Sequence, residues 1–178
     1  MDTKQFWQLI EEARSQVLVP DNGDAIAEGA AALLAIRPVE EILAAQQALW
    51  DLMADSYRAP LWGAAYVING GCSDDGFDYF RGWLITQGRE TFERVITDPD
   101  ALAALPVVRA FAERGIDGDC EATLSIAWTA YQTATGENLP DGAFSIRYPK
   151  LDPEWGFNFA DRDELSRRLP RLTDLYSE

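Results

Sequence analysis

Ser73-Asp74-Asp75-Gly76-Phe77-Asp78-Tyr79-Phe80-Arg81-Gly82-Trp83-Leu84-Ile85-Thr86-Gln87-Gly88 is the stretch on which the fold turns. At 3.6 residues per turn, Phe77, Phe80 and Leu84 share one face of a helix while Tyr79 and Trp83 occupy another, so this helix is apolar nearly all round. A helix with so little surface to offer water belongs at the centre of a packed domain. Gly88 ends or kinks it, and Phe92, Val95 and Ile96 continue the pattern beyond.

Helical signals extend in both directions. Asp2 with Gln5 three residues later reads as a capping box, and Phe6, Leu9, Ile10, Ala13 and Val17 then recur at helical spacing over about residues 2–18, as far as Pro20 and the turn Asp21-Asn22-Gly23. Asp24 restarts an alanine-rich helix that ends near Arg37, and Pro38 opens the longest amphipathic helix of the first half, with Val39, Ile42, Leu43, Leu49, Trp50 and Met53 as its stripe. These three helices should pack as a bundle. Pro60 opens a short apolar segment, Leu61–Ile68, in which the alanines and the N1 proline favour helix over buried strand. Asp98-Pro99 predicts a short capped helix, Pro106 another closed by Gly115, and Asp119 a long one through Leu124, Ala127, Trp128 and Tyr131 to Gly136.

Residues 138–160 differ. Pro140, Pro149, Pro153 and two glycines break helical periodicity, yet Phe144, Tyr148, Trp155, Phe157 and Phe159 are spread through them. Five exposed rings would be costly, so the segment is expected to be an extended strap whose aromatics dock on the helices; the functional alternative is an aromatic-lined lid. Residues 161–176 return to helix, with Asp161 and Glu164 as a capping box and Arg162, Arg167, Arg168 and Arg171 as the one basic concentration. The whole chain, 1–178, reads as a single all-α domain: a multi-helix bundle of mixed crossing angles with an aromatic-rich C-terminal strap and no sheet of consequence.

Composition narrows function mainly by exclusion. The chain has no histidine, which removes the commonest general base, the commonest zinc ligand and the usual partner of a Ser or Cys nucleophile. Fifteen Lys and Arg against thirty Asp and Glu give a net charge of −15, a field that repels phosphate backbones and anionic membranes within about 8 Å at physiological salt. Nucleic acid and membrane are therefore not expected as partners, and a basic protein is the partner class that fits. No apolar run reaches the roughly eighteen residues of a membrane span, and the residues after Met1 lack the basic start and apolar stretch of a secretory signal, so a cytoplasmic location is expected. Cys72 and Cys120 lie far apart and form no CxxC pair; they read as reduced thiols.

The stretch Leu61 to Glu90, with Trp62-Gly63-Ala64-Ala65-Tyr66-Val67-Ile68-Asn69-Gly70-Gly71-Cys72-Ser73-Asp74-Asp75-Gly76-Phe77 at its core, closely resembles the signature of a bacterial family called domain of unknown function 4240. The opening Phe6-Trp7 with Leu9-Ile10, the Asp98-Pro99-Asp100 turn and the ending Arg168-Leu169-Pro170-Arg171-Leu172 resemble it too, while residues 138–160 match least. The resemblance implies kinship and carries no established activity.

Within that signature the turn Gly70–Arg81 holds the candidate ligand-binding residues Cys72, Ser73, Asp74, Asp75, Asp78 and Arg81. As a phosphate cradle it is weak, because Asp74 and Asp75 would repel the anion and neither a P-loop lysine nor GxGxxG spacing is present. As a cation site, Asp74, Asp75 and Asp78 offer hard oxygen ligands, but this is no EF-hand loop and Arg81 can neutralise the same cluster. The plainer expectation is that Ser73 or Asp74 caps the helix, Asp75 favours its positive end, and Asp78 pairs with Arg81 or Arg89; no metal and no cofactor is then required. Cys72 could be a nucleophile near a helix N-terminus, but reads more simply as a small buried hydrophobe, and Trp62, Tyr66, Tyr79 and Trp83 as core. The function expected is non-catalytic: a binding or regulatory protein with an acidic surface. The alternative is an enzyme or metal-dependent ligand-binding domain using the turn 70–81, and a third option is a structural subunit of a larger assembly.

Overall fold

A computed structural model describes residues 1–19 and 21–177. Among them there is no strand, and the domain is all-α: α1 (Thr3–Gln16), α2 (Gly23–Ala35), α3 (Val39–Asp55), α4 (Ala59–Ile68), α5 (Asp74–Thr86), α6 (Arg89–Thr97), α7 (Pro106–Arg114), α8 (Ile126–Thr135), α9 (Arg162–Arg168) and α10 (Pro170–Leu175). Single 3-10 segments cover Pro99–Ala104, Glu121–Ser125 and Pro153–Trp155. No helix among the described residues is long and apolar enough to cross a membrane.

The helices α1, α2, α3 and α8 pack against one another, and α5 lies against α1, α2, α3, α4, α6 and the segment Glu121–Ser125. Its burial follows from its composition: Phe77 and every residue from Phe80 to Thr86 are buried. Gly82 is the point of closest approach. A Cβ there would lie 2.5 Å from the carbonyl oxygen of Cys120, so only glycine lets the chain at 120 cross α5. The backbone amide of Cys120 also donates to the carbonyl of Tyr79 at 3.0 Å, just where the chain passes.

That crossing corrects one expectation. The long helix foreseen from Asp119 is broken into the 3-10 segment Glu121–Ser125 and α8, and the Asp119 side chain caps neither. Other caps shift as well. Asn22, not Asp24, caps α2, its side chain accepting from the amide of Ala25 at 3.0 Å. The capping box Asp2–Gln5 stands as read, but α1 stops at Gln16, short of residue 18; Pro20, expected to terminate it, lies outside the described residues.

Asp98 does not cap the segment it precedes; its carboxylate pairs with Arg171 at 2.7 Å. The buried Asp100 reaches across 71 residues to accept from the amide and Nε of Arg171, and its other oxygen accepts from the amide of Leu172 at 2.8 Å. One carboxylate thus satisfies orphan amides of α10, the work a local cap would otherwise do.

Residues 138–160 contain only tight turns near Asp141 and Phe159 and the 3-10 segment Pro153–Trp155. Their attachment is polar as much as apolar. The side chain of Gln47 on α3 accepts from the amide of Ser145 at 2.8 Å and donates to its carbonyl at 3.3 Å, while Phe144 stacks on Trp50 at 6.3 Å. Phe144, Trp155, Phe157 and Phe159 are half-buried, and Tyr148 is 57% exposed although its ring meets Tyr57 edge-on. The rings rest on the bundle without entering its core.

Candidate functional site

The turn between α4 and α5 is set by glycine. Gly70 and Gly71 both take positive φ, 62° and 146°, which other residues rarely adopt. Asn69 then clamps the chain at Gly118 with two hydrogen bonds, accepting from its amide at 2.9 Å and donating to its carbonyl at 3.3 Å. The turn is thereby tied to the loop that crosses α5.

The six candidate residues divide by what they touch. Ser73 caps α5, its hydroxyl accepting from the amide of Gly76 at 3.1 Å. Asp74 and Asp75 are exposed in the first turn, where the positive end of the helix dipole favours them. Cys72 is half-buried; its carbonyl accepts from the indole N–H of Trp62 at 3.1 Å, and burial pushes its thiol up to about 12 despite the Arg81 charge nearby. Such a thiol is almost wholly protonated at neutral pH, the opposite of what a nucleophile needs.

Asp78 and Arg81 form a pair at the base of the turn. The Arg81 side chain is only 1% exposed, donates to the Asp78 carboxylate and to the carbonyl of Met53, and bonds the carbonyl of Phe77 through Nε at 3.3 Å. Its guanidinium also lies 4.6 Å from the centre of the Phe77 ring and 5.1 Å from that of Tyr57. Burial raises the Asp78 carboxyl above its ordinary range against the pull of Arg81, with Asp74 and Asp75 adding to the rise. Burial likewise lowers Arg81. For both partners, leaving water outweighs the mutual attraction, as buried ion pairs commonly show. Of the candidate metal ligands, Asp78 is turned inward to Arg81 while Asp74 and Asp75 face solvent. Among the described residues no group of three His, Cys, Asp or Glu side chains is arranged to hold a metal ion.

Beside this turn lies a groove of about 500 Å³ between α4 and residues 151–159, with Trp62, Tyr66 and Cys72 on one side and Trp155, Phe157 and Phe159 on the other. Glycine at 63 lets the strap sit close to α4: a Cβ there would lie 3.0 Å from the Trp155 ring, which would have to shift by a few tenths of an ångström. On α9, the guanidinium of Arg168 lies 4.9 Å from the centre of Trp155 and 5.1 Å from that of Phe157, and its Nε donates to Glu164 at 2.7 Å. Asp161 caps α9, but Glu164 does not complete the expected box; its carboxylate pairs with Arg167 and Arg168 instead.

Cys72 alone of the six candidates lines this groove. Trp62 and Tyr66, expected to be core, are half-buried on its wall, and Trp83 is the member of that aromatic group that is fully packed. Trp155, Phe157 and Arg168 were not foreseen as neighbours. The signal for them was the density of rings in a proline-rich segment followed by an arginine-rich helix, which states what can stack but not where.

No curated protein and no solved structure matches the chain. Residues 1–133 match a family described as "Protein of unknown function (DUF4240)", a span that holds α1 to α7, nearly all of α8 and the whole acidic turn but not the strap, α9 or α10. With most of its length matched, the chain belongs to the DUF4240 family.

Proposed function

We propose that the protein is a non-catalytic binding or regulatory protein of the cytoplasm that takes a basic polypeptide in the groove between α4 and residues 151–159. The observation that carries this reading is the groove itself, walled by Trp62, Tyr66, Trp155, Phe157 and Phe159 on a chain of charge −15. Aromatic faces attract cations and half-buried rings gain from being covered, while the surrounding negative field speeds the approach of a basic partner and rejects acidic ones. Asp74 and Asp75 face solvent, but the other groups that chemistry at the acidic turn would use are engaged. Arg81 is bonded to Asp78 and main-chain carbonyls, Ser73 caps α5, and Cys72 holds its proton.

Titrating the protein with an arginine- and lysine-rich peptide, and with a glutamate-rich peptide of equal length, tests the reading through tryptophan fluorescence. Saturable change with the basic peptide alone, weakening as salt rises, is the expected result. Equal response to both peptides, or response to neither, would sink it.

A further inference from the structure

Trp155, Phe157 and Glu164 surround the Arg168 guanidinium with two aromatic faces and a carboxylate, the groups that recognise a guanidinium in any setting. We infer that these three residues form a guanidinium slot, filled here by Arg168, in which an arginine side chain of the basic partner takes Arg168's place. The partner's identity rests on the reading proposed above; the slot stands on its own geometry.

Three features make exchange practicable. The Arg168 side chain is 28% exposed, so the slot opens to solvent. Glu164 keeps a cation when Arg168 leaves, because Arg167 pairs with the same carboxylate. Trp155 and Phe157 also line the groove, so a chain delivering an arginine to them has a surface to lie along. Arg171, by contrast, is held away by Asp98 and Asp100 on the α10 side.

Agmatine, a small guanidine without a peptide chain, is the direct probe. Its binding is followed at the Trp155 indole N–H resonance, which is assigned by its loss in Trp155→Phe. In Arg168→Ala, agmatine should shift that resonance saturably, and adding Glu164→Gln should weaken the effect. The parent should bind it about two- to thirty-fold more weakly than Arg168→Ala, the factor a cation–π contact is worth. The other indole resonances report whether a variant is folded. Should Arg168→Ala not fold, Arg168→Lys keeps the charge but not the planar fork, and agmatine should displace it more readily than the native arginine. No shift in any folded variant overturns the slot, and binding to Arg168→Ala with none to the parent overturns the exchange. Agmatine binding without binding of basic peptides would leave the slot standing and remove the proposed partner; the converse would remove the slot alone.

Discussion

Arg81 is where the charges of the acidic turn resolve. Its guanidinium is fully buried, so its bonds to Asp78 and to the carbonyl of Met53 are obligatory, whereas Asp74 and Asp75 remain free in solvent. Two substitutions separate charge from hydrogen bonding. Asp78→Asn keeps an acceptor for Arg81 and relieves both the burial of the carboxylate and its repulsion by Asp74 and Asp75, so stability at pH 7 should change by less than about 1 kcal/mol. Asp78→Ala removes the acceptor too and should cost about 2–3 kcal/mol, measured by denaturant unfolding. The pH dependence has a definite sign. Burial raises the folded carboxyl of Asp78 above its unfolded value of about 3.9, so the folded state binds the proton more tightly. The contribution of Asp78 is therefore greatest below that value and is lost as pH rises through the raised one. Asp78→Asn should flatten this part of the profile; an unchanged slope would assign it to other carboxylates. The partnership of Asp78 with Arg81 was legible in the sequence as a three-residue spacing on one helix, but the depth of Arg81 and its rings from Tyr57 and Phe77 was not, because Tyr57 lies twenty-four residues away from it.

The helix α5 shows how far periodicity carries. Its central place follows from having apolar side chains on nearly every face, and that was readable; the position that makes it fit, Gly82, was not. A glycine inside a helix looks like a weakness, since alanine is favoured there by up to about 1 kcal/mol. Here the crossing chain decides otherwise: a Cβ would meet the Cys120 carbonyl oxygen at 2.5 Å, and backbone on both sides leaves nothing flexible to yield. Overpacking of this kind costs about 1–3 kcal/mol, so Gly82→Ala should destabilise by about 1–2 kcal/mol net despite its better propensity. Equal or greater stability in a urea melt would contradict the crossing. The same tertiary contact explains why the helix expected from Asp119 begins as a 3-10 segment. Likewise, α10 takes its cap from Asp100, a residue in a different part of the chain. Local signals place Pro170 at the start of that helix but are silent on a partner so distant.

The whole molecule combines an acidic turn, anchored by the Ser73 cap and the Asp78–Arg81 pair, with an aromatic groove roofed by a segment of low helical content. The family match ends at residue 133, before the strap that forms one wall of the groove, so the groove joins family-matched α4 to a wall outside the match. The all-α class was legible throughout because caps and apolar stripes are local. The groove was not, since it depends on where Trp155, Phe157 and Phe159 come to rest. They settle half-buried on α4 and α9, held by Gly63, Tyr66 and Arg168. Hydrogen exchange on the intact protein, with and without a saturating arginine-rich peptide, tests the proposed role most directly. Slowed exchange is expected, confined to Ala59–Cys72 and residues 151–168 and lost when Trp155 is replaced by alanine. Protection centred on another acidic face, or none while the peptide is demonstrably bound, would contradict it.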